Sequence, residues 1–169
     1  MAFNTNMGTF CQHEEQAIPE IVKIIKNFSP RLVIEFGTKY GGFTSILQSA
    51  TSDETEIYSY DNIKRKTNDR FRKNVYFITA DILSEPVQEI ITLCKGGERK
   101  LLYCDNGNKI REFQLYALHL RMGDLLGVHD WGTEIFYDSV SDVLKDFTPR
   151  DHKIFEASGW KTRFWIKGA

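Results

Sequence analysis

Apolar residues recur along this chain with two alternating periods. Ile18, Ile21, Val22, Ile25 and Phe28 share one face of a helix over about 12–28, with Pro19 tolerable in its first turn. Short apolar runs follow near 31–36, 56–60, 74–79, 99–104 and 124–129, and helical patterns lie near 42–50, 84–95 and 109–122. Strands alternating with helices predict a largely parallel sheet with right-handed crossovers. Two last runs, 152–157 and 161–167, are separated by Ser158-Gly159-Trp160. That gap is too short for a parallel crossover, so the pattern predicts a C-terminal antiparallel hairpin completing seven strands.

Residues 31–45, RLVIEFGTKYGGFTS, place a strand, a glycine-rich turn and a hydroxyl-rich helix start in immediate succession. In an α/β sheet this arrangement cradles a nucleotide-like ligand at the helix N-terminus. A dinucleotide turn reads G-x-G-x-x-G, its second glycine admitting a pyrophosphate. Here Gly37-Thr38-Lys39-Tyr40-Gly41-Gly42 puts Lys39 at that position. The turn therefore suits a ligand without a pyrophosphate, and Glu35 can accept from an ammonium group. S-adenosylmethionine has both properties; the plain alternative is an ordinary strand-to-helix turn. Asp61 closes the apolar run Ile57–Tyr60, where a carboxylate can accept from both ribose hydroxyls or cap a helix.

Composition narrows the class. The 169 residues, 41% hydrophobic and 27% charged, suit one domain over 1–169 with residues 1–30 as a helical cover. A net charge of −1 supplies no global field toward nucleic acid or an anionic membrane. The N-terminus MAFNTNMGTFCQHEEQ has no apolar signal core, and no segment reaches membrane-span length. Cys11, Cys94 and Cys104 are odd in number and lack metal-site spacing, which fits reduced thiols in a cytoplasmic protein.

The E-x-G-T-x-x-G-G motif after an apolar strand resembles the first motif of class I S-adenosylmethionine-dependent methyltransferases. Within them the chain is most similar to the group called cephalosporin hydroxylases, which includes sugar and macrolide O-methyltransferases, over at least Leu32–Trp131. The resemblance implies a Rossmann-like α/β fold with helices on both faces of a mostly parallel seven-stranded sheet. It implies cofactor contacts from Glu35, Gly37, Thr38, Gly41, Gly42 and Asp61, with Asp81 at the adenine amino group and Ile82 beside the ring. It also implies a divalent metal, magnesium or manganese, held by Asp105, His129 and Asp130 at two further strand tips. The family carries an acid where this chain has His129, and imidazole suits magnesium poorly.

His129 thus has three roles open to it: general base, ligand of a softer metal, or hydrogen-bonding loop residue. Lys109 is a base if desolvation lowers its pKa, and otherwise a solvated side chain. Lys64–Lys73, KRKTNDRFRK, steers an acidic substrate, contacts RNA phosphates or is a solvated helix face. Phe136, Tyr137, Trp160 and Trp165 divide between core and substrate pocket. The sequence expectation is methylation of a small-molecule hydroxyl, with Asp105, His129 and Lys109 as catalytic candidates. Two other classes compete: a cofactor-binding scaffold with a decayed site, and an NAD oxidoreductase, against which Lys39 argues. With few residues between strands, the acceptor site is either open or completed by a second subunit of a homo-oligomer.

Overall fold

A computed structural model describes residues 3–5, 8–64 and 70–168. The chain starts with a small antiparallel ladder, β1 (Phe3–Asn4) with β2 (Phe10–Cys11), and a 3₁₀ turn at Glu15–Ala17. The remaining elements are α1 (Ile18–Phe28), β3 (Leu32–Phe36), α2 (Gly42–Ala50), β4 (Glu56–Asp61), β5 (Val75–Thr79) and α3 (Gln88–Lys95). They continue as β6 (Lys100–Cys104), α4 (Lys109–Tyr116), β7 (Leu125–Val128), α5 (Tyr137–Leu144), β8 (Phe147–Arg150), α6 (His152–Ala157) and β9 (Arg163–Lys167).

Seven strands form one sheet in the order β5-β4-β3-β6-β7-β9-β8. All pairs from β5 to β7 are parallel, and β9 runs antiparallel to both β7 and β8. The central strands β3 and β6 are buried along their whole length, as parallel strands covered on both faces must be. One face carries α1, α2 and α6 over a core containing Ile21, Ile25, Val33, Leu47, Leu101 and Phe155. The other carries α3, α4 and α5 over Ile34, Phe36, Ile90, Leu102, Phe113 and Val143. The mostly parallel sheet with helices on both faces is the fold class expected from the sequence.

Several elements differ from the pattern reading. Residues 152–157 form α6, not a strand; Phe155 is its only buried residue, and Ile154 is 40% exposed. The hairpin partner of β9 is β8, Phe-Thr-Pro-Arg, where Pro149 hides the strand from a propensity reading. Its missing N–H is tolerated because β8 is the sheet edge. The short ladder β1–β2 and helix α5 were not anticipated; α5 is broken at Val140 by a non-helical φ of −138°. Helix α3 starts after Pro86, later than expected, since the residue before a proline disfavours helical backbone. Cys11, Cys94 and Cys104 are buried free thiols, and no described helix is long and apolar enough to cross a membrane.

Candidate active site

The turn after β3 is built on left-handed backbone at Gly37 (φ 96°), Lys39 (φ 47°) and Gly41 (φ 73°). Its glycines serve close approach of the protein's own backbone. A Cβ on Gly37 would lie 2.3 Å from the Asp105 carbonyl oxygen, and one on Gly42 would lie 2.1 Å from that of Phe10. The turn is thereby clamped between the tip of β6 and the N-terminal ladder. A Cβ on Gly41 would lie 3.0 Å from the Phe71 ring.

Beneath the turn, Glu35 is fully buried rather than turned toward solvent. Its Oε2 accepts from Ser59 Oγ at 2.5 Å and Thr44 Oγ1 at 2.6 Å, and the Ser59 hydroxyl shares a 2.6 Å hydrogen bond with Thr38. Burial outweighs these donors and raises the carboxyl to about 7; Oε1 has no hydrogen-bond partner.

A cavity of about 740 Å³ opens at the carboxyl ends of β3, β6 and β7, within the range of small-molecule sites. The turn lines one side through Gly37, Thr38, Lys39 and Gly42, and the N-terminal segment Phe10–His13 lines another. Asp105, Lys109, His129, Asp130 and Glu134 form the polar wall. His129 presents Nδ1 to Asp130 Oδ2 at 3.4 Å and Asp105 Oδ1 at 3.5 Å, while Nε2 faces Glu14 Oε2 at 3.5 Å. His13 stacks on His129 with ring centroids 4.1 Å apart and on Phe43 at 4.0 Å. Its Nε2 meets the Tyr103 hydroxyl at 2.9 Å.

The two imidazoles have opposite electrostatics. Burial alone would lower the pKa of His129, but Asp105, Asp130 and Glu14 raise it to about 11. Burial and the neighbouring His129 hold His13 well below its ordinary value, so it is neutral at pH 7. Raised in this way, His129 holds its proton at neutral pH, which speaks against general base among its three open roles.

Lys109 is corrected in the same way. It is 4% exposed by its side chain, with Nζ 2.6 Å from Glu134, 3.0 Å from Asp130 and 3.3 Å from Asp105. Burial would lower its pKa, yet these carboxylates hold it above the ordinary lysine value, so it is a permanent cation, neither base nor solvated tail. Nearby, burial raises the Glu112 carboxyl to about 8.

The residues that the resemblance assigns to the adenosine side, Asp61, Asp81 and Ile82, do not line this cavity. Asp61 is buried at the end of β4, its carboxylate accepting from the N–H groups of Lys39 at 2.8 Å and Ile63 at 3.0 Å. Asp81 is exposed and turns back onto the N–H groups of Leu83 and Ser84, a local turn. Ile82 is buried in the core, its carbonyl accepting from the Tyr116 hydroxyl. Of the basic run, residues 65–69 lie outside the described residues. Arg72 is held by the Ser52 carbonyl, Thr51 Oγ1 and Asp53. Trp165 packs in the core, whereas Phe136 and Tyr137 are exposed. His13, Glu14 and Glu134 join the site without having been singled out, since no spacing or strand end marks them.

The sheet order, the antiparallel β9 and the glycine turn decide the architecture. The fold is the class I methyltransferase fold. Solved structures agree. CmcI-N160 in its apo form superposes with a TM-score of 0.73 over 99% of this chain and 76% of that one, at 13% identity. CmcI-N160 with SAH gives 0.70 over 99% and 83%, at 11% identity. A putative caffeoyl-CoA O-methyltransferase from Staphylococcus aureus gives 0.62 over 94% and 86%, at 13% identity. In sequence, the chain is 27% identical over 165 residues to a rhamnosyl O-methyltransferase of Mycobacterium tuberculosis (strain ATCC 25618 / H37Rv). The alignment covers 90% of this chain but 65% of that relative, so the chain spans about two thirds of its length. No protein-family model matches the chain.

Proposed function

We propose that this protein is an S-adenosylmethionine-dependent O-methyltransferase acting on a hydroxyl of a small sugar or glycoside. The observation that carries the reading is the cavity at the carboxyl ends of β3, β6 and β7, where the glycine turn faces Asp105, His129 and Lys109 across one opening. The sequence relationship to a rhamnosyl O-methyltransferase supports the acceptor class. When bound, S-adenosylmethionine supplies a methyl group on a sulfonium.

Gly37, Thr38, Gly41 and Gly42 would form its cradle, with Glu35 acting through the Ser59, Thr38 and Thr44 hydroxyls and the Asp61 carboxylate at the end of β4 accepting from the ribose hydroxyls. The cavity's polar wall then acts on the acceptor. Asp105 is the group that accepts a hydrogen bond from the substrate hydroxyl and takes its proton. His129 and Lys109, both cationic, stabilise negative charge developing on that oxygen. The Phe10–His13 segment and Phe43 line this side of the cavity. Holding the acceptor oxygen against the cofactor's methyl group would supply much of the acceleration.

The metal set implied by the resemblance, Asp105, His129 and Asp130, fits a divalent ion poorly. Both carboxylates already face the Lys109 ammonium, and His129 turns Nδ1 toward the same oxygens. No step of the reaction is therefore assigned to a metal. Cytoplasmic residence and a homo-oligomer are consistent with this reading. Incubation with methyl-labelled S-adenosylmethionine and a panel of rhamnosides and related glycosides tests it. A labelled methyl ether is expected; cofactor binding without product across the panel would favour the scaffold alternative.

A further inference from the structure

Lys109 begins α4, four residues after Asp105, and its ammonium is almost enclosed. The carboxylates around it come from three separate segments: Asp105 at the tip of β6, Asp130 on left-handed backbone after β7, and Glu134 in the following turn. Glu134 is 52% exposed by its side chain, yet it makes the shortest contact, 2.6 Å. An ammonium has three donors and no acceptor; two of them go to Asp130 and Glu134, and Asp105 stands at ion-pair distance. A hard divalent cation demands the same convergence of oxygens.

We propose that Lys109 is the resident cation of this site: a tethered ammonium that occupies the seat a divalent metal would take, orients Asp105, and makes methyl transfer independent of metal ions. The consequence for methyl transfer rests on the function proposed above; the occupancy of the seat does not. Two of the oxygens a metal would need, on Asp105 and Asp130, are engaged by Nζ. A divalent ion could reach them only by displacing a charge that is covalently attached, or by sitting against it. The neighbouring group His13, Asp105 and His129 has donor atoms within 4.8 Å of one another. It shares Asp105 with Lys109, and His13 Nε2 is committed to the Tyr103 hydroxyl. Besides lending its charge to the developing oxyanion, Lys109 positions Asp105 against the acceptor hydroxyl.

The test is metal binding, read without turnover. Chelator-treated protein is titrated with Mn²⁺ while free ion is followed by electron paramagnetic resonance, and with Zn²⁺ against a chromogenic chelator. Wild type should hold neither ion at up to about 1 mM, the weak end of oxygen-ligand sites. Lys109→Ala should gain one Mn²⁺ site at least tenfold tighter, and Lys109→Arg, which keeps the charge, should gain none. Turnover of wild type should survive exhaustive chelation, whereas turnover of Lys109→Ala should be lost and partly rescued by Mg²⁺ or methylammonium.

Stoichiometric Mn²⁺ or Zn²⁺ on wild type overturns the proposal, as does a folded Lys109→Ala that gains no ion. Should that variant not fold, the wild-type titration still decides. S-adenosylhomocysteine titrated into the same samples separates the two claims. Its binding beside a wild-type metal site leaves the methyltransferase reading standing, while its absence with the metal results as expected leaves the Lys109 assignment standing.

Discussion

Two lysines are buried at opposite ends of the same sheet, and their surroundings differ. Lys100 opens β6 at the amino end, 0% exposed, with Nζ 2.8 Å from Asp124 and 3.0 Å from the Gly96 carbonyl oxygen. Asp124 in turn accepts from the N–H groups of Lys100 and Arg121. One cation meets one anion, and the remaining hydrogen-bonding capacity goes to backbone. Lys109, just beyond the carboxyl end of β6, meets three carboxylates from three segments, beside a protonated His129 and a cavity. A closed pair holds the fold together. An over-supplied cluster of charge at strand tips, open to a cavity, is arranged for a ligand.

The largest expected effect breaks the closed pair. Lys100→Met leaves Asp124 buried without its counter-charge and should lower stability by about 3–5 kcal/mol. Urea denaturation should show a lower midpoint with unchanged slope, while S-adenosylhomocysteine affinity of the folded fraction stays as in wild type. Loss of affinity together with stability would mean that the two ends are not independent.

At the open end the effect should fall on chemistry. Asp105→Asn removes the proton acceptor and should reduce turnover roughly 10²–10⁴-fold. His129→Ala should do so by less, because Lys109 still stabilises charge. Both variants should bind S-adenosylhomocysteine within a few fold of wild type, as measured by calorimetry. Turnover unchanged in both would refute the roles given to the polar wall.

A smaller effect concerns the hydroxyl-lined carboxyl under the glycine turn. The folded pKa of Glu35 is raised from 4.5 to about 7, so the protonated form is favoured by folding. Its stabilising contribution is complete below the unfolded value and is lost as pH rises through about 7. Glu35→Gln mimics the neutral form at every pH. Relative to wild type it should gain on the order of 2 kcal/mol between pH 4.5 and 8, read from denaturation midpoints at both. A difference independent of pH would show that folding does not raise the carboxyl's pKa.

The parallel part of the fold was legible because β3 to β7 are apolar runs separated by helical patterns. The C-terminal hairpin was misplaced by one element, since Pro149 disguised an edge strand and His152–Ala157 offered a compact apolar run that closes into α6 instead. Asp105, His129 and Asp130, which line the cavity, could be picked out because strand ends mark them. The character of Lys109 could not, because its three carboxylates converge only through tertiary structure. His13 reaches the cavity, and Glu14 reaches His129, on a segment whose periodicity suggested helix from residue 12, whereas the helical turns begin at Glu15.

The central claim is that the carboxyl end of this sheet holds S-adenosylmethionine. Calorimetric titration of the intact protein with S-adenosylhomocysteine, beside NAD, tests it most directly. The account predicts saturable one-to-one binding of S-adenosylhomocysteine, none of NAD, and at least a tenfold loss in Asp61→Ala, whose carboxylate would give up two charge-assisted hydrogen bonds of about 1.5–3 kcal/mol each. No binding of S-adenosylhomocysteine, or undiminished affinity in a folded Asp61→Ala, would contradict it.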